Sequence, residues 1–308
     1  MASPEADAFH EMVRQFRAAT IGDLASAEPP SIEMMRAGAE ASMSVVGIMP
    51  EGVVVSERTL AGRRTLQLDP VGASTDRVIL YLHGGGYVMN TIDTHQKLAS
   101  GLAKATGCRA LVFDYRMAPE DPFPAAVDDA LAGYRALLDE GVPAANIAIS
   151  GDSAGGGLTV AVLLSARDAG LPQPAASAMM SPWTDLEGVG ASMDSMAGSD
   201  LMIDRAAMTG VGQMYLAGAP VRSPLASPIY ADLHGLAPMY VQVGGHEVLL
   251  DDSTRLVVGA AHAGVDVRLD VFPEMQHVFQ SALGMLPESD DAIARIGAYL
   301  GPRLGLAA

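Results

Sequence analysis

The sequence predicts an α/β protein built on a mostly parallel sheet with helices on both faces. Three observations predict it. Short apolar runs alternate with helical stretches from about residue 78 to the C-terminus. Val78-Ile79-Leu80-Tyr81-Leu82 and Ala110-Leu111-Val112-Phe113 are apolar throughout, as strands buried on two faces are. Glycines close several helical stretches, at Gly107, Gly141 and Gly170.

The elements follow in order. Before about Met49, Phe9, Val13 and Phe16 fall at helical spacing. Pro29 and Pro30 then interrupt, and Ile32, Met34, Met35 and Met43 resume the pattern. Two short amphipathic helices result, and they need a surface to lie on. Val53-Val54-Val55 and Arg64-Thr65-Leu66-Gln67-Leu68 read as strands. Helices are expected over 94–106 and 125–140, then strand 147–150, helix 154–169 and strand 176–180. Residues 188–221 break the rhythm: they are helical, rich in methionine and without a strand, as an insertion packed beside the N-terminal helices would be. Strand 239–243, helix 251–263, strand 266–271 and helix 289–300 complete the chain.

Composition narrows the function. The 308 residues suffice for a sizeable core. Lys and Arg total 19 against 36 Asp and Glu, a net charge of −17. Such a surface repels nucleic-acid phosphates and anionic lipid. The single Cys108 excludes an internal disulfide and any multi-cysteine metal site, and is expected to be a buried thiol. Glu5, Asp7 and Glu11 with no apolar stretch argue against a secretory signal, and no 18-residue apolar run exists. A soluble, cytoplasmic protein is expected.

Gly151-Asp152-Ser153-Ala154-Gly155 matches G-x-S-x-G between a strand and a helix. In that turn a serine hydroxyl stands above the sheet at the positive end of a helix. His83-Gly84-Gly85-Gly86 follows the apolar strand 78–82, and its unshielded N–H groups can converge on a developing oxyanion. The N–H of Ala154, next after the serine, would join them. The segment lacks the G-x-G-x-x-G of a dinucleotide loop. A serine needs a base, and in this arrangement the acid and then the histidine follow it. His277 lies in a loop after the last strand; His234, His246 and His262 lack that position. Glu247 lies four residues after strand 239–243 and is the preferred acid, with Asp251 and Asp252 as alternatives that could instead cap a helix.

Together these motifs resemble the bacterial hormone-sensitive-lipase-like (family IV) carboxylesterases of the α/β-hydrolase superfamily. Asp114-Tyr115-Arg116-Met117-Ala118-Pro119-Glu120, Pro122-Phe123-Pro124-Ala125-Ala126 and Ser181-Pro182-Trp183-Thr184-Asp185-Leu186 carry the likeness further. The resemblance implies an α/β-hydrolase fold with a helical cap: residues 1–48 and 188–221 as cap, 49–187 and 222–308 as catalytic domain. It implies that Gly85 and Gly86 face the oxyanion, with Gly84 as close support. The family's acid motif reads Asp-Pro-Leu where this chain has Glu247-Val248-Leu249. It further implies a Ser153, His277 and Glu247 triad, no metal or cofactor, a small-molecule ester substrate, and pairing of two copies through strand 266–271. The pocket wall is expected to draw on Met34, Met35, Tyr87, Asp152, Trp183, Leu201, Met202, Met208 and Val278. An amidase or arylacetamide deacetylase would use the same groups. A non-catalytic receptor on this fold would have lost the histidine, which is present here.

Overall fold

The computed structural model describes residues 3–20 and 30–306. An eight-stranded sheet runs in the order β1-β2-β4-β3-β5-β6-β7-β8. Its strands are β1 (Val53–Leu60), β2 (Arg63–Pro70), β3 (Ser74–Leu82), β4 (Cys108–Phe113), β5 (Ile147–Asp152), β6 (Ala176–Met180), β7 (Met239–Gly244) and β8 (Val267–Phe272). From β4 to β8 across the sheet, every neighbouring pair is parallel. The first two strands stand where the sequence reads them and run further, as an antiparallel hairpin with Val53 opposite Pro70 and a turn at Ala61-Gly62; β2 also pairs antiparallel with β4. Polar residues on the largely exposed β1 blur the apolar signal that marks the buried strands.

The strands alternate as the pleat demands. Val78, Leu80 and Leu82 of β3 join one core cluster, with Leu111, Phe113, Ile147 and Ile149. Ile79 and Tyr81 join the opposite cluster, with Ala110, Val112 and Ala148. Helices α4 (Ala125–Asp139), α5 (Ala154–Asp168) and α8 (Leu250–His262) cover the first face. Helices α3 (Gln96–Thr106) and α9 (Pro287–Arg303) cover the second. Cys108 is wholly buried there.

The remaining helices lie over the C-terminal ends of the strands. Helix α1 (Pro4–Thr20) buries Ala6, Phe9 and Val13 against Phe272, Met275 and Phe279. Helix α2 (Ile32–Val45) starts at Ser31, whose hydroxyl accepts the Met34 N–H. Arg36 of α2 donates to the carbonyls of Val88 and Ala118 and pairs with Glu120. The predicted break at Pro29 lies outside the described residues, as does the side chain of Phe16. The stretch between β6 and β7 carries a single turn, α6 (Ser192–Ser195), and α7 (Arg205–Leu216), capped by Asp204. Arg17 of α1 bonds Asp204, so insertion and N-terminal helices meet. No helix among the described residues is long and apolar enough to cross a membrane.

Chain order sets where chemistry can collect. From β3 the chain steps to β4 on one side, then returns past β3 to β5 on the other. Loops leaving β3 and β5 therefore part at a switch point, where open α/β sheets form their crevice. Leu82 and Gly151 are register partners, so the two loops leave at the same height. The contact is tight: a Cβ at Gly155 would overlap the Leu82 carbonyl oxygen and stand 2.6 Å from that of His83. Gly155→Ala is therefore expected to lower the unfolding free energy by about 2 kcal/mol or more. Gly198→Ala, where a Cβ meets nothing within 4 Å, should stay within about 0.5 kcal/mol of the parent. Urea unfolding of both variants checks the contrast.

Candidate active site

Ser153 joins β5 to α5 with φ of 52°. A non-glycine residue there is strained and persists only where its surroundings fix it. Here they do. The Ser153 N–H donates to Met180 O at 2.9 Å, and its carbonyl accepts the Trp183 N–H at 2.9 Å. The side chain is left standing above the strand ends.

His277 follows β8 in a loop, and its Nε2 lies 2.9 Å from Ser153 Oγ. Its Nδ1 lies 2.8 Å from Glu247 Oε2. The carboxylate only accepts, so the proton belongs on Nδ1 and Nε2 turns its lone pair to the serine. The other Glu247 oxygen accepts the Ser181 hydroxyl at 2.7 Å and the Gly244 N–H at 2.5 Å. Burial works against charging His277. The hydrogen bond and charge of Glu247 outweigh it, with Asp200 and Asp152 adding to them, so its pKa lies above the ordinary 6.5. The two alternative acids are engaged elsewhere. Asp251 accepts the Ser192 N–H at 3.0 Å, and Asp252 accepts those of Thr184 and Asp185 at 2.8 Å. Burial lifts the Asp252 pKa to about 7.

The loop after β3 faces the serine. Gly85 has φ of 115°, and a Cβ there would overlap the Met89 carbonyl. Only glycine fits this turn. The N–H groups of Gly85 and Gly86 have no acceptor among the described residues, and Ala154 opens α5 with its N–H equally unused. Gly84 differs from its two neighbours. Its N–H is taken by Asp152 Oδ1 at 3.1 Å, so it braces the loop and offers no free donor. Asp152 also accepts the Tyr81 hydroxyl at 2.7 Å. Burial opposes its charge, but His95 and Tyr81 hold its pKa below the usual 3.8. His83 stacks on Tyr115, and burial with neighbouring His95 lowers its pKa to about 4. A neutral, buried His83 bonding the Gly84 carbonyl at 2.8 Å is a structural group.

A cavity of about 130 Å³ opens over Ser153. Met35, Asp152, Trp183, Met202, Met208 and Val278 stand on its wall. Met34, Tyr87 and Leu201 do not, which corrects the sequence expectation. Adjacent helical positions diverge by about 100°, so Met35 faces inward and Met34 is 66% exposed. The Tyr87 backbone is left-handed, with φ of 66°, and its ring stacks on Tyr215 at 3.8 Å in the core. Leu201 is packed against the satellite core cluster that contains Phe9 and Phe279. Sequence reasoning missed Ala39, Met89, Asn90, Ile203, Ala207 and Val211 on the wall. It also missed Ser181, which has φ of 48° and accepts the Val278 N–H at 3.2 Å. Helical spacing from Met35 would have found Ala39; no local signal marks the others.

The geometry is a serine, a histidine and a carboxylate in hydrogen-bond contact above the ends of parallel strands. A family model described as alpha/beta hydrolase fold matches residues 79–281. The chain belongs to that family. It is 40% identical to an acetyl-hydrolase of Streptomyces hygroscopicus over 99% of each chain. It is 33% identical to an esterase of Acinetobacter venetianus, over 82% of this chain and 84% of the relative. Among solved structures, an esterase from the bacterial hormone-sensitive lipase family superposes with a TM-score of 0.93 at 41% identity, covering 99% of this chain and 100% of that one. EstE5 soaked with p-nitrophenyl butyrate superposes with a TM-score of 0.92 at 38% identity, with 99% and 100% covered.

The balance of forces on His277 has a direct test. Glu247→Gln removes the charge that outweighs burial. The His277 pKa should then fall below 6.5, read from its imidazole resonances in an NMR titration. An unchanged value would mean that Glu247 does not set it.

Proposed function

We propose that this chain is a serine carboxylesterase acting on short- to medium-chain acyl esters through Ser153, His277 and Glu247. One observation carries the reading: an unbroken hydrogen-bond chain from Glu247 to Ser153 Oγ ends in an apolar cavity beside unused N–H groups. In this reading Ser153 Oγ attacks the ester carbonyl as His277 takes its proton. The oxyanion rests on the N–H groups of Gly85, Gly86 and Ala154, where one donor is worth about 3 kcal/mol of barrier. His277 passes its proton to the departing alcohol and leaves an acyl-Ser153. Water, deprotonated by the same imidazole, releases the acid and restores the serine. Glu247 holds the imidazole and stabilises its charged form.

The substrate class follows from the wall. Met35, Met43, Met208 and Val211 present no charge to an acyl chain, and burying an uncharged chain there is favourable. The names of the relatives point to esters as well. Residues 1–48 and 188–221 act as the cap in this reading, over a catalytic domain of 49–187 and 222–308. The reading places the enzyme in the cytoplasm, in keeping with its acidic surface. Two copies pair along β8, the strand at the sheet's edge.

The test uses p-nitrophenyl esters of increasing chain length. Turnover should be measurable on acetate and butyrate and fall off on long chains. Ser153→Ala should lose at least about 10³-fold in kcat with the fold intact. An organophosphonate should label the parent at Ser153. Retained turnover in the alanine variant would refute the assignment.

A further inference from the structure

The segment between α6 and α7 runs behind the loops that carry Glu247 and His277 and bonds the residue beside each. Asp200 is 3% exposed. Its Oδ1 accepts the N–H groups of Met202 and Ile203, each at 2.9 Å. Its Oδ2 accepts the N–H of Val248, the residue after Glu247, at 2.9 Å. The Val248 carbonyl accepts the Ser192 hydroxyl at 2.6 Å. Both backbone polar groups of Val248 thus end on side chains of the insertion. On the base side, Gln276 precedes His277. Its Oε1 accepts the Leu201 N–H at 2.8 Å, and its Nε2 donates to Ser199 O at 3.0 Å.

The chemistry at Asp200 calls for a carboxylate. Three N–H donors converge on one group, and an amide in its place would turn a donor towards at least one of them. No Lys or Arg pairs with Asp200 among the described residues. Burial works against its charge and raises its pKa, opposed by the three N–H bonds and by His277. A buried charge held only by N–H groups is costly. The charge also faces His277, alongside Glu247 and Asp152.

We propose that Asp200 is a positioning residue for the hydrolytic reaction: with Ser192 and Gln276 it lets the insertion set the spacing of the acid and base loops. The proposal rests on the serine-esterase reading above. Its carboxylate also favours the imidazolium that forms as Ser153 attacks. Met202 and Ile203, whose N–H groups Asp200 holds, stand on the cavity wall. Filling the cavity and aligning Glu247 with His277 are thereby linked through one carboxylate.

The experiment compares the parent with Asp200→Asn, Gln276→Ala and Ser192→Ala on p-nitrophenyl butyrate, with kcat/KM followed across pH. Asp200→Asn should lose roughly tenfold or more in kcat, as small misplacements of reacting groups do. KM should change by less than about threefold. The acid limb of kcat/KM should move to lower pH, because a negative charge facing His277 is gone. An Asp200→Asn enzyme with the parent's kcat and acid limb overturns the proposal. If that variant does not fold, the other two decide: lost kcat with an unchanged melting temperature supports it, and unchanged kcat in both overturns it. Organophosphonate labelling of the parent separates the two levels. An unlabelled, inactive parent refutes the esterase reading and this proposal with it; a labelled parent with unaffected variants refutes this proposal alone.

Discussion

Glu247 has no solvent-exposed surface, and the rest of the site depends on keeping its charge there. An isolated carboxylate in that position would neutralise or drag in water. Three donors prevent it: His277, Ser181 and the Gly244 backbone. Each comes from a different strand end: His277 follows β8, Ser181 follows β6, and Gly244 closes β7. One carboxylate therefore draws three parallel strands' loops to a common point. Removing any donor leaves a buried lone pair unmet, which is why such networks hold together or fail together.

Asp152 repeats the device on the other side of the serine. Its carboxylate is fully buried and gathers Tyr81 from β3, the Gly84 N–H and His95 from the turn into α3. The bond to Gly84 fixes the loop whose next two N–H groups stay unused. Ser153 sits directly after Asp152, so the residue that braces the Gly84–Gly86 loop and the serine bonded to His277 share a peptide bond. The strained φ of 52° at Ser153 is sustained between these two anchors.

How far the sequence discloses this depends on the range of the interaction. Strands β3, β4 and β5 are legible because both faces are buried and the apolar run is continuous. The Gly151–Gly155 turn and the His83–Gly86 loop are legible because their demands are local. The antiparallel hairpin is legible only as two short strands, since polar residues on β1 and β2 mask their length. Ser181 is invisible because its partner lies 66 residues away. Met34 and Met35 are indistinguishable in a periodicity argument, yet a rotation of about 100° puts one outside and one in the cavity. Asp251 and Asp252 competed with Glu247 on position alone; what separates them is where their oxygens point, which only the packed loops decide.

The 18 methionines take on meaning through that packing. Met35 and Met43 come from α2, Met89 from the oxyanion loop, and Met202 and Met208 from the insertion. Five unbranched thioethers from three separate segments form much of one wall. Across the cavity stand groups held by hydrogen bonds of 2.5 to 2.9 Å. The two sides have opposite requirements. The polar side must hold reacting atoms within a fraction of an ångström, which the sheet's buried carboxylates provide. The apolar side has only to exclude water and follow the shape of a chain, which flexible side chains do at low cost. In the proposed esterase a rigid aromatic wall would tie acyl-chain fit to the alignment of Ser153; a methionine wall would uncouple them except where Asp200 bonds the residue after Glu247.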